Sequence, residues 1–599
     1  MELSQEVIRQ VALPAAAFHG PSPPCGPEQA TPASAEACWQ TSLLNPKNRI
    51  DSLEFPANAS WRIDGCIAFG TQFYAVPLFL GPVPPQRVDV FIPSHAAISS
   101  SSSSSPGLCQ ALDLSTAFHT RETRATRQLG ITRHIVRCLQ HWTATSDEAG
   151  RYRSFPFGSR IVFHNVPVDV RAARISVAPA HHLERQMLSA QQLRDMWREE
   201  EGIRLPPAID LGELRYKAQP HDSVSVVERD GETLVFKAVT SHTKYLYHEL
   251  RQLLRMPPHP NVIGRPLHLV TKRCAFGAKT AVVGFTLAYH RHGSVRDHVP
   301  RLALRGRTTH RDEVRWALQL VRALRHFRAA CGGGGGGGGT FYSDLRLDNV
   351  LLSDALGLVL VDFEQRGVWS EFAAPEINAI ECLRELATDE DLPDDDDDGG
   401  GGGGGGARAR YAGLLTQMLP RWEALVDGEA YAWPAGRRGY NVAWRCLAAE
   451  EQERCEVYML GRVLWCLFEA QSAPQRAALW TSYPSEPAVE FPAYARTPPG
   501  AMRRLIDRCT EGHVPTLSSV VVRSGGKLVL RELEAAGGST PDAVRDRARE
   551  FWTMRIADSE RWVRNHIESR KNHPINPAFP KRPDLSVVEA HLEAYFNKL

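Results

Sequence analysis

Apolar and polar positions change period several times along the chain, and each change marks an element. Residues 223–229 and 232–239 are strand-length runs on either side of Asp230-Gly231, a dipeptide suited to the positive-φ positions of a two-residue hairpin. Tyr245, Leu246, Leu250, Leu253 and Leu254 then form a helical stripe that Pro257 and Pro258 end. A further helix is predicted after Thr309, with Asp312 as its capping partner and Val314, Leu318, Val321, Leu324 and Phe327 on its apolar face. Residues 350–352 and 358–361 read as two short strands joined by a turn at 353–357. Upstream, 67–79, 87–92, 160–164 and 173–178 read as strands of a small β-rich unit. A polar helix over 189–201 follows it, and Pro206-Pro207 marks a boundary. Near the other end, Ser539, Thr540, Pro541 and Asp542 start a helix that runs to about Lys571, and another follows Asp584.

Three low-complexity runs interrupt this pattern: Ser99 to Ser105, Gly332 to Gly339, and Asp394 to Asp398 continuing into glycines 399 to 406. Such runs bury nothing and cost much backbone entropy to order, so they read as solvated loops. The 599 residues, 43% hydrophobic and 23% charged, suit several globular units. Lys and Arg total 70 against 68 Asp and Glu, a net charge of +2 with no overall field for polyanions; neither nucleic acid nor membrane is an expected partner. The twelve cysteines contain no C-x-x-C pair, which disfavours a zinc module and suits a reducing compartment. No leader is evident at Met1, and prolines, glycine and polar residues break the most apolar window, 66–83. A cytoplasmic or nuclear location is the expectation.

The chemistry concentrates between Tyr342 and Glu364. A hairpin there brings Asp344, Asn349 and Asp362 towards one point, and such hard oxygen ligands suit Mg²⁺ with a nucleotide. An acid free of the metal can orient and deprotonate an attacking hydroxyl. The run from Tyr342 to Asn349 resembles the H-R-D-L-x-x-x-N catalytic loop of the protein-kinase superfamily, and Asp362-Phe363-Glu364 resembles D-F-G. Val235-Phe236-Lys237 resembles the strand-three lysine motif, with Glu249 as its ion-pair partner. Residues 281–290 resemble the hinge strand, Ala374-Pro375-Glu376 is an intact A-P-E, and the Glu456 segment resembles the buried helix of the large lobe. The ordered set covers roughly residues 210–520, and its wording is similar to divergent kinase-like proteins of filamentous fungi.

The resemblance implies ATP and Mg²⁺ as cofactors. Lys237, braced by Glu249, would neutralise the α- and β-phosphates; Asp362 and Asn349 would hold metal; Asp344 would orient the acceptor hydroxyl, with Arg346 offsetting γ-phosphate charge. The hinge positions Ala288 and His290 would contact the nucleotide. Four departures stand out. The turn expected at 218–223 has no glycine, Glu364 replaces the last glycine of D-F-G, Ser343 replaces the arginine of H-R-D, and only 14 residues separate Asp362 from Glu376. The last two remove both a phosphate receiver and a long loop to order, so activation-loop phosphorylation is not expected to switch the protein. No arginine after Arg508 is evident as the partner of Glu376.

The resulting expectation is an α+β, bilobal protein-kinase-like fold. An N-terminal β-rich domain occupies residues 1–205. The kinase-like domain spans 206–525, with a small lobe over about 210–290, a large lobe over about 291–525 and an insertion over about 385–445. A helical C-terminal extension covers 526–599. The expected function is transfer of the ATP γ-phosphate to a protein hydroxyl, of serine/threonine type; the alternatives are a pseudokinase scaffold and a small-molecule phosphotransferase of aminoglycoside-kinase type. The protein substrate is open, and the N-terminal domain and C-terminal helices offer surfaces for partners.

Overall fold

The computed structural model describes residues 8–20, 58–66, 72–80, 88–91, 130–165, 169–200, 202–221, 223–275, 277–332, 340–392, 406–428, 430–432, 439–476, 487–524, 527–536 and 539–599. The serine run, the aspartate run and nearly all of both glycine runs lie outside them, as do 67–71 and residues 87 and 92 of the predicted early strands. The architecture is mixed α/β. Strands β1 (Trp61–Cys66), β2 (Gln72–Pro77), β3 (Val88–Phe91), β4 (Arg160–Phe163) and β5 (Ile175–Ala178) form one five-stranded sheet in that order. Helix α1 (Gly130–Thr145) covers it with Ile135, Leu139 and Trp142 packed on Trp61, Ile63 and Phe163.

Two helices follow, α2 (His181–Gln186) and α3 (Ala190–Met196), the second opened by a capping box in which Ser189 and Gln192 exchange hydrogen bonds. The second sheet contains β6 (Ala208–Asp210), β7 (Arg215–His221), β8 (Val224–Arg229), β9 (Glu232–Ala238), β10 (His268–Arg273) and β11 (Thr280–Ala288), in the order β6-β10-β11-β9-β8-β7. Only β6 runs parallel to its neighbour, so the sheet is mixed. The Asp230-Gly231 turn forms as read, with φ of 51° and 81° and Arg229 paired to Glu232. The region expected to be a turn at 218–223 is instead mostly strand: His221 still pairs with Val224, and irregular register at Ala218 absorbs the bend. The two sheets touch where the Tyr216 hydroxyl donates to Asp64 at 2.5 Å, with Arg62 2.6 Å from the same carboxylate. Phe157, Leu183 and Met187 cover one face of the second sheet.

Helix α4 (Thr243–Arg255) lies on the other face, between β9 and β10 in sequence. Beyond β11 come α5 (Val295–Leu304), α6 (His310–Gly332), the β12 (Val350–Leu352) and β13 (Leu358–Leu360) hairpin, α7 (Pro375–Thr388), α8 (Ala407–Met418), α9 (Glu423–Asp427), α10 (Ala449–Glu469) and α11 (Ala501–Cys509). Thr309 and Asp312 cap α6 reciprocally, at 3.1 and 3.2 Å, as expected. α10 is buried along nearly its whole length and forms the axis of the main hydrophobic core. The stretch after 526 is not wholly helical: β15 (Lys527–Leu530) pairs with β14 (Val521–Ser524) across the expected boundary. Ile8 and Val11 pack on this hairpin and on α12 (Pro541–Asn572), while α13 (Leu585–Phe596) inserts Leu585, Val588 and Leu592 into the main core. Among the described residues no helix is long and apolar enough to cross a membrane, and Cys138, Cys274, Cys382, Cys446, Cys455, Cys466 and Cys509 are buried free thiols.

Candidate functional site

Lys237 lies on β9 opposite Phe285 of β11, next to the buried Phe236 and Ala238. Its ammonium is 2.6 Å from Glu249 on α4, 2.7 Å from Asp362 and 3.1 Å from Glu364. Glu249 also accepts the backbone N–H of Phe363 at 3.0 Å, so one carboxylate fixes both the lysine and the segment after β13. Glu364 thus serves as a third acid on Lys237, a contact its motif position did not suggest. The left-handed φ values fall on its neighbours, Asp362 at 66° and Gln365 at 52°.

One cation amid three acids leaves a surplus of negative charge. Burial alone would lower the Lys237 pKa, but Asp362, Glu249 and Glu364 together raise it well above the ordinary lysine value. Burial pushes Glu249 up to about 7 and raises Glu364. Burial opposes ionisation of Asp362 too, yet the charge and hydrogen bond of Lys237 hold it below the ordinary aspartate range, with His221 at the end of β7 adding to the effect. Asp362 is 35% exposed where Lys237 is 6% and Glu249 1%, so Asp362 is the member open to an incoming cation.

Across the β12–β13 hairpin, Asn349 donates through Nδ2 to the Asp344 carbonyl at 2.9 Å and to its Oδ2 at 3.2 Å. Arg346 Nε lies 3.3 Å from the same Oδ2, and its guanidinium rests 5.0 Å over the Trp369 ring. Burial, then the neighbouring Asp362 and Asp348, raise Asp344, while Arg346 pulls it back down. Phe363 packs on Phe327 and Tyr342 with centroids 4.9 and 5.4 Å apart, and Tyr342 donates to the Val361 carbonyl; these aromatics hold the Asp344 and Asp362 segments together. Glu456 on α10 accepts the Tyr342 backbone N–H at 2.7 Å and pairs with Arg328, anchoring the loop to the core.

Ala288 ends β11 at the surface, paired with Leu234, and the half-buried His290 begins the turn that closes on Gly293. Ala288 follows Phe285, the partner of Lys237, by three residues, which at about 3.3 Å per residue sets it roughly 10 Å along the strand from it, and His290 lies beyond the strand end. The partner of Glu376, for which no residue was evident, is Arg582. Its guanidinium makes a bidentate pair at 2.9 and 3.0 Å, with the two side chains 0% and 4% exposed. The only local signal for Arg582 is its placement between Pro580 and Pro583 just ahead of α13, a rigid extended stretch.

The donor set Asp362 and Asn349 consists of hard oxygens and fits Mg²⁺, and Glu249, Asp362 and Glu364 also lie close enough to share a cation. The Lys237 ammonium already occupies the buried side of that acid group, so a metal would enter from the Asp362 side. No protein-family model matches the chain, and no curated protein matches it.

Proposed function

We propose that the chain is a Mg²⁺- and ATP-dependent phosphotransferase of bilobal protein-kinase-like architecture, acting on a protein hydroxyl. One observation carries the reading: the bonded set Lys237–Glu249 and Lys237–Asp362 stands beside the bonded set Asp344–Asn349, five side chains drawn from β9, α4 and the two ends of one hairpin. Mg²⁺ held by Asp362 and Asn349 would neutralise charge on the triphosphate. Lys237 offsets the charge of the non-transferred phosphates. Asp344 accepts the proton of the acceptor hydroxyl as its oxygen bonds the γ-phosphorus and the bond to the β-phosphate oxygen breaks, releasing ADP. The work is positioning and charge neutralisation.

A second reading, a nucleotide-independent pseudokinase, draws on the 3.1 Å contact of Glu364 with Lys237, which supplies the ammonium with a protein anion in place of phosphate. The substitution Glu364→Gln separates the two. On the proposed function it tightens Mg·ATP binding roughly tenfold, about 1.4 kcal/mol, because a competing charge leaves the phosphate site. On the second reading calorimetry detects no nucleotide with either chain. Incubation with [γ-³²P]ATP, Mg²⁺ and either a peptide library or a pool of small hydroxyl metabolites then tests the acceptor. Label in peptides supports the proposal, and label in metabolites alone contradicts its protein acceptor.

Arg346 gives a pH prediction. Its positive charge favours the carboxylate form of Asp344, so Arg346→Met lets Asp344 take up its proton at higher pH. The acid limb of the kcat/KM profile therefore moves upward in pH, and an unmoved limb would show that Asp344 is not the group titrating.

A further inference from the structure

Helix α4, which carries Glu249, is buried on nearly every side: eleven of its thirteen residues are buried, among them Lys244, His248, Arg251 and Gln252. A helix that lies on a sheet normally leaves a polar face in water. Here elements of the same chain cover that face. The Lys244 ammonium, at 0% exposure, donates to the carbonyls of Leu425 at 2.6 Å and Val426 at 3.3 Å, in the last turn of α9. Those carbonyls have no partner within their own helix, and a cation suits that end of its dipole. The same ammonium lies 5.3 and 5.2 Å from the rings of Tyr245 and Tyr440.

Next to Glu249, His248 bonds Gln365 at 2.7 Å, and Gln365 donates to the Phe341 carbonyl. The helix is thereby tied to the segments that carry Asp362 and Asp344. On its other flank, Glu200 binds Arg251 at 2.7 and 3.0 Å and approaches Arg255 at 3.4 Å. Trp197 donates to the Tyr431 hydroxyl at 3.1 Å, and the Tyr431 ring meets Tyr247 edge-on.

We infer that Trp197 and Glu200 after α3, together with Leu425, Val426, Tyr431 and Tyr440, form a clamp built into the chain, which holds α4 so that Glu249 stays on Lys237 without phosphorylation or a partner protein, and that Lys244 is its main positioning residue. The inference rests on the proposed phosphotransferase reading for its consequence in activity, but not for the clamp itself. These described residues then act as a fixed activating brace, which accounts for the absence of the phosphate-receiving arginine at Ser343 and for the short 362–376 segment.

The test compares the full chain with Lys244→Met, which keeps the aliphatic stem and removes the ammonium, Lys244→Arg, which restores a cation, and the milder Trp197→Phe, which removes one clamp hydrogen bond. Hydrogen exchange read by mass spectrometry over residues 243–255 is expected to speed at least tenfold in Lys244→Met and severalfold in Trp197→Phe, with Lys244→Arg recovering part of the protection. In the transfer assay Lys244→Met is expected to lower kcat/KM for ATP at least tenfold while the KM for the acceptor stays put. Phosphatase treatment of the wild type is expected to leave turnover intact. Unchanged exchange over α4 in both Lys244→Met and Trp197→Phe overturns the clamp, as does loss of wild-type activity on dephosphorylation. If Lys244→Met fails to fold, Trp197→Phe decides by the same exchange readout. A wild type with no transfer at all, but with faster α4 exchange in the variants, upholds the clamp and overturns the phosphotransferase reading instead.

Discussion

Asp344→Asn is expected to lower phosphate transfer by roughly 10²–10⁴-fold, the range for loss of a positioned proton acceptor, while Mg·ATP binding survives. Asparagine keeps the shape and can still meet Nδ2 of Asn349, which now donates to the Asp344 carboxylate at 3.2 Å, but it cannot accept the proton of an attacking hydroxyl. The carboxylate is anchored from behind: Glu456 grips the backbone N–H of Tyr342, and Arg346 sits 3.3 Å from Oδ2. Its geometry therefore outlasts the substitution, and the effect falls on kcat. Single-turnover measurement with radiolabelled ATP separates this from a binding defect. A variant that transfers phosphate within a few fold of wild type would remove Asp344 from the chemistry.

The second large effect is on stability. Arg582→Met is expected to destabilise the region around Glu376 by about 3–5 kcal/mol, the usual cost of stranding one member of a buried ion pair. Glu376 would lose both guanidinium hydrogen bonds while remaining 4% exposed, and the Glu511 carbonyl would lose two more at 2.8 and 2.9 Å. Burial works against ionisation of Arg582, yet Glu376 raises its pKa above the ordinary arginine value, so the guanidinium keeps its charge in the buried pair. Replacing both residues, Glu376→Gln with Arg582→Met, is expected to cost clearly less than the sum of the single changes, because neither then leaves an unpaired charge. Denaturant unfolding followed by tryptophan fluorescence measures this. A single-variant loss below about 1 kcal/mol, the range of exposed pairs, would contradict the structural role assigned to the buried Arg582–Glu376 pair.

What was legible in the chain follows from how local each signal is. Asp230-Gly231, Thr309 with Asp312, and Thr540-Pro541 announce a turn and two helix starts because their backbone demands are met by neighbours a few residues away. The Lys237–Glu249 pair and the approach of Asp344 to Asn349 were legible through their places in an ordered set of motifs. The remainder depended on contacts between distant parts of the chain. Arg582 is one of 70 basic residues, and its meeting with Glu376 spans 206 positions. Glu364 stands in the sequence only as the replacement of a motif glycine, whereas the chain places the positive φ on Asp362 and Gln365 and uses the carboxylate as a third acid on Lys237. The turn expected at 218–223 is mostly strand because cross-strand pairing carries through to His221, and pairing of that kind depends on β8 rather than on the turn residues. The strand at Lys527–Leu530 has the same origin, since its partner is β14. Lys244 and His248 interrupt an otherwise ordinary amphipathic stripe, and only the covering residues 425, 426 and 365 explain why they are buried.

The most direct test of the central claim, that Lys237 and Asp362 present a charged cradle to a metal-bound triphosphate, is isothermal calorimetry of ATP with and without Mg²⁺ on the wild type, Lys237→Met and Asp362→Asn. The account predicts Mg²⁺-dependent binding by the wild type, binding weakened at least tenfold by Lys237→Met, and loss of the Mg²⁺ dependence in Asp362→Asn. Absence of nucleotide heat in the wild type, or equal affinity in all three proteins, would contradict it.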